Sequence, residues 1–140
     1  MRSEDRTKIY NRWWRITHLY KIRTKTAGIT SQLNLNPVQA DRRNKVDLWP
    51  YHLVLKARQE GVSTFFLLWH LDATMHTTNC NTVILADCRE NLGKLFQIFK
   101  FAYEACPEKI LLADGTFWIK PKARYDTRNE LYFDGLNSTI

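Results

Sequence analysis

Cysteine is scarce in this chain of 140 residues, which holds only Cys80, Cys88 and Cys106. An odd count without a CxxC pair argues against a disulfide framework and against a zinc knuckle, so the three read as free thiols. Histidine is nearly as sparse. His18, His52, His70 and His76 form no HExxH pair, and the last two are spaced so that on one helix they would face different sides. All four read as packed or solvated side chains. No apolar run approaches a membrane span of about 20 residues. The polar opening Met1-Arg2-Ser3-Glu4-Asp5-Arg6 leads into no signal core. The expectation is a soluble, cytosolic protein with no membrane partner. Internal repeats and low-complexity segments are also missing. What is present is a globular composition, 44% hydrophobic and 25% charged, in a length that suits one domain with a real core.

Acid is scarce at the front of the chain. Arg2, Arg6, Lys8, Arg12, Arg15, Lys21, Arg23 and Lys25 face only Glu4 and Asp5 there, whereas the residues after 50 balance to zero. Most of the net charge of +7 therefore belongs to an N-terminal arm. Such an arm attracts phosphate backbones, or it is simply a solvated helix face.

Residues 4–20 carry one apolar stripe, Ile9, Trp13, Ile16 and Tyr20, at helical spacing. Residues 20–25 alternate weakly, as an extended segment does, and Ala27-Gly28 marks a turn. Asn36-Pro37 opens a short polar helix running through Arg43. Residues 51–56, with the continuous apolar run Leu53-Val54-Leu55, and residues 82–86 are predicted as buried strands of the kind a parallel sheet holds. A helix apolar almost all round is predicted from Ser63 to His76, and an amphipathic one between Asp87 and Pro107, with Asp87 and Glu90 as an approximate capping box. Short strands around turns fill 114–140. Strand, loop, helix, strand, helix is the order of an α/β fold with a parallel sheet.

The informative stretch is Lys56-Ala57-Arg58-Gln59-Glu60-Gly61-Val62-Ser63-Thr64, where a strand gives way to a helix. The first helical N–H groups are unpaired there and the helix dipole favours an anion. Against the phosphate-loop pattern GxxxxGKS/T, Gly61 and Ser63 stand in place, but Val62 holds the lysine position and Lys56 the first glycine position. The departures have a physical reading. Gly61 permits close backbone approach, Ser63 offers a hydroxyl for Mg²⁺, and Lys56 or Arg58 supplies a cation from the front of the loop. The competing reading is an ordinary strand-to-helix turn carrying surface charges.

The same stretch resembles the variant Walker A of phage terminase large subunits, in which the basic residue moves to the front of the loop. Upstream, Leu35-Asn36-Pro37-Val38-Gln39 is similar to the family's adenine-recognition segment; downstream, Val83-Ile84-Leu85-Ala86, Arg89-Glu90 and Phe99-Lys100-Phe101-Ala102-Tyr103-Glu104 resemble the strand and helix after the loop. The resemblance implies a P-loop NTPase-like parallel sheet flanked by helices, incomplete, with residues 1–33 as a basic helical arm and 34–140 as a partial ATPase domain. It implies ATP and Mg²⁺ as cofactors. Lys56, Arg58, Gln59, Gly61, Ser63 and Thr64 form the phosphate loop, Ser63 is the Mg²⁺ ligand, and Gln39 reads the adenine edge. The implied partners are double-stranded DNA, a portal and a small terminase subunit, and the implied compartment is the host-cell cytoplasm.

One departure limits the implied activity. The family's next motif, Walker B, is an apolar strand ending in an acidic pair. Leu111-Leu112-Ala113-Asp114-Gly115 is the nearest imitation, and Gly115 stands where the catalytic carboxylate belongs. The expectation is a fragment that stops before Walker B and the nuclease domain, holds no catalytic residue, and binds nucleotide without turning it over. The alternative is a small basic nucleic-acid-binding module, with Trp13, Trp14 and Tyr20 interleaved among the cations of the arm.

Overall fold

The computed structural model describes residues 8–24, 28–30, 32–49, 51–55, 60–112, 114–126 and 130–140. The first helix, α1 (Arg12–His18), is set by Asn11, whose side chain accepts from the amides of Trp13 and Trp14 at 2.9 and 3.1 Å. That cap divides the expected longer helix, since Asn competes well for the first free amides. Ile22–Thr24 (β1) and Gly28–Thr30 (β2) then pair antiparallel. Helix α2 (Pro37–Val46) has Pro37 in its first turn and a full capping box. Asn36 caps the Gln39 amide at 2.9 Å, and the Gln39 carboxamide oxygen accepts from the Asn36 amide at 3.0 Å.

Helix α3 (Val62–His76) is the core element, with Phe65, Leu68, Leu71 and Met75 fully enclosed. It packs against α4 (Arg89–Glu104), which turns Phe96, Phe99, Ala102 and Tyr103 inward. Each enclosed Leu or Phe side chain contributes about 1.5–3 kcal/mol. The expected capping box at α4 does not form. Cys88 is the N-cap, Asp87 accepts from the Cys88 amide and from Asn91, and Glu90 pairs with Lys94 at 2.6 Å. The chain closes with a hairpin of β3 (Lys109–Leu111) and β4 (Phe117–Ile119), then an antiparallel meander of β5 (Tyr125–Asp126), β6 (Leu131–Phe133) and β7 (Ser138–Thr139). Leu131, Phe133 and Ile140 face the same core as α3 and α4. So do Ile16, Leu19 and Tyr20, so the segment expected as an arm contributes to the main core.

The strands expected at 51–56 and 82–86 are not formed among the described residues. Both segments run without a ladder, and their alternate residues face solvent: Tyr51, Leu53 and Leu55 are at least 90% exposed, Val83 and Leu85 79% and 87%. Val54 and Ile84 are half-buried, and Thr82 is buried. A strand exists through its hydrogen-bonded neighbours, and here the nearest pairing is the single parallel bridge between Asn81 and Thr139. The named strands all pair antiparallel, and no parallel sheet forms among the described residues. No described helix is long and apolar enough to cross a membrane.

Candidate functional site

The start of α3 is built by three elements. Gly61 precedes it with φ +70°, a left-handed conformation that glycine adopts without steric cost. No described side chain caps this helix, and its first internal bond runs from the Phe65 amide to the Gly61 carbonyl at 3.0 Å. Among the described residues the amides of the first turn thus have no side-chain partner, the condition for an anion site. The loop is held from α2. Asn36 Nδ2 donates to the Glu60 carbonyl at 3.0 Å, and Gln39 Nε2 donates to the Gly61 carbonyl at 2.9 Å.

The structure therefore brings Gln39 and Gly61 into direct contact. Gln39 is buried, with its carbonyl oxygen on the Asn36 amide and its nitrogen on the loop, so its carboxamide is engaged at both ends. Its observed work is to hold the loop. Ser63 is exposed and Thr64 half-buried. Ser63 lines a cavity of about 450 Å³ together with Trp49, His52, Phe66, Trp69 and His70, within the size range of small-molecule sites. Thr64 lines a smaller one of about 170 Å³ with Arg23 and Lys94. The two hydroxyls thus belong to different sides of the helix start. Lys56, Arg58 and Gln59, the expected phosphate contacts at the front of the loop, lie outside the described residues. Among the described residues no group of three His, Cys, Asp or Glu could hold a metal. Asp114 sits in the turn between β3 and β4, where its carboxylate accepts from the Thr116 amide at 2.9 Å and from the Thr116 hydroxyl. It is a turn-forming acid.

A second polar centre was missed in the sequence. Asp72 is fully enclosed on α3 and accepts from Arg15 Nε at 2.8 Å, Arg15 Nη2 at 2.7 Å and the Tyr20 hydroxyl at 2.9 Å. The third Arg15 nitrogen donates to the Ile9 carbonyl at 2.8 Å. Arg12 approaches Asp72 at 3.8 Å and Asp47 at 3.4 Å. Burial opposes the Arg15 charge, but the hydrogen bonds and charge of Asp72 outweigh it and raise the pKa. Burial, then Asp72, pushes Tyr20 well above the usual phenol range. Arg15 and Tyr20 are therefore interior groups and leave the list of residues available to a nucleic acid. The signal in the sequence was a single acid, Asp72, inside an otherwise apolar helix. Such a group must be paired.

Lys120 is a second buried cation. It pairs with Glu108 at 2.6 Å, sits 4.6 Å from the Tyr103 ring centroid, and donates to the Cys106 carbonyl at 3.3 Å just past the end of α4. A cation there complements the helix dipole. No family model, curated protein or solved structure matches this chain.

Proposed function

We propose that the chain is the front portion of a terminase-like, P-loop-type ATPase unit that binds Mg²⁺-ATP at the start of α3. The observation that supports this best is the uncapped helix N-terminus behind a left-handed Gly61, braced from α2 by Asn36 and Gln39. The phosphates occupy the free amides of the first turn, with Lys56 and Arg58 as the cations at the front of the loop. Ser63, exposed at that turn, suits Mg²⁺ held mainly by phosphate oxygens and water, because Mg²⁺ keeps several waters and needs few protein ligands. The exposed apolar segments at 51–55 and 82–86, each leading toward a helix, suit strands of a sheet completed by other polypeptide.

The reading is one of binding, without turnover. Asp114 belongs to a hairpin turn, so the Walker B role finds no candidate in that run. Duplex DNA, a portal and a small terminase subunit remain the partners of this reading, in a host-cell cytoplasm. Calorimetric titration with Mg²⁺-ATP tests it, with wild type compared with Lys56→Ala/Arg58→Ala. Binding that disappears in the double variant supports a working phosphate loop. A folded wild type that takes up no nucleotide, or a double variant that binds equally well, rejects it.

A further inference from the structure

A groove between α1 and α2, on residues other than those of the phosphate loop, carries a different chemistry. It measures about 460 Å³ and is lined by Lys8, Trp13, Trp14, Thr17, His18 and Arg43, beside the capping Asn11. None of these described lining residues is acidic. Trp14 and His18 stack face to face with ring centroids 4.9 Å apart and planes 9° from parallel, so the exposed His18 is the outer layer of a two-ring platform backed by Trp14. His18 Nδ1 lies 3.0 Å from the Trp14 carbonyl. The Thr17 hydroxyl lies 2.8 Å from the same nitrogen, so Nδ1 is engaged within the helix, and no described hydrogen bond takes Nε2. Trp13 is braced from behind by the enclosed Phe65, stacked at 5.7 Å and 12°. The Arg43 guanidinium lies over Trp13, 5.5 Å from the ring centroid, and stays exposed.

We infer that this groove binds single-stranded nucleic acid, with a base stacked on the outer face of the Trp14–His18 platform and a flanking phosphate held by Arg43. Cations beside ring faces fixed from below are what an unpaired strand needs, since every base offers a π-face and every linkage a negative charge. Bases inside a duplex have their faces already stacked, so the platform selects unpaired strands. The charge pattern also separates the cations near the groove: Arg15 of the basic front is consumed by Asp72, whereas Arg43 on α2 pairs with no acid through any described salt bridge.

The test is fluorescence anisotropy of a short labelled oligothymidylate, titrated with the full chain at several salt concentrations and compared with a duplex of equal length. His18→Ala/Arg43→Glu changes two exposed side chains, and a thermal melt confirms that it folds. The expected result is single-strand binding that quenches tryptophan emission and weakens by roughly tenfold or more in the double variant. One phosphate contact gives a slope of log K against log salt of about −0.7, which the variant removes. Lys56→Ala/Arg58→Ala leaves this binding unchanged, which separates it from the nucleotide site. No binding by the folded wild type, duplex bound as tightly as single strand, or a double variant as tight as wild type overturns the inference.

Discussion

His76 sits at the end of α3 with its Nδ1 3.0 Å from the Asp72 carbonyl and 3.5 Å from the Asp72 carboxylate. Its ring stacks on Trp118, 5.8 Å away, and its Nε2 is enclosed without a partner. Burial lowers its pKa below the ordinary 6.5, with Asp72 opposing and Arg15 assisting; burial lowers His70 in the same direction. The sign of the consequence is fixed. An unfolded chain takes up protons on these rings at a higher pH than the folded one, so stability falls as pH drops from about 6.5 toward the folded values. Asp41, Asp87 and Glu108 are held below the usual carboxylate range by hydrogen-bonding partners, so their contribution disappears only at lower pH. Urea denaturation at a series of pH values measures this. A His70→Gln/His76→Gln variant is expected to flatten the curve above the carboxylate range. A wild-type curve already flat there refutes the assignment. Cys106, enclosed and pushed up to about 12, stays a thiol throughout.

At the scale of elements, the link between α2 and the start of α3 decides whether the loop keeps its shape. A Cβ on Gly61 would lie 2.7 Å from Gln39 Nε2, and the φ of +70° strains any other residue. Gly61→Ala is therefore expected to cost about 1–3 kcal/mol, read as a shift in denaturation midpoint with an unchanged slope. A variant as stable as wild type shows that the loop relaxes away from Gln39. The helices were largely legible in the sequence because their signals are local: Pro37 after Asn36, the enclosed faces of 62–76, the stripe of 89–104. Gln39 was legible as a residue next to the loop chemistry. Its observed contact is with the loop backbone, which no spacing rule distinguishes from a free amide facing a ligand. The strands expected at 51–55 and 82–86 do not form among the described residues: composition registers only that an apolar run wants cover, whereas a strand requires a hydrogen-bonded neighbour. Arg15 looked like surface charge for a similar reason, since its partner Asp72 is remote in sequence.

Across the whole molecule, apolar surface is divided unevenly. The core gathers α1, α3, α4 and the C-terminal meander, while Tyr51, Leu53, Leu55, Val83 and Leu85 stand almost fully in water. Exposed apolar backbone of this kind invites pairing with another chain. Leu53→Lys/Leu85→Lys is expected to reduce self-association in sedimentation velocity at high protein concentration without lowering the melting temperature. Equal association in the variant shows that these segments are not the contact. Folding of one chain is a first-order process, whereas pairing between two bare segments is second-order. The uncovered stretches at 51–55 and 82–86 therefore make the yield of unassociated protein a function of the concentration to which it accumulates. Because they stay uncovered once the core has closed, folding does not end the hazard, and the native protein stays exposed to second-order loss at unchanged stability.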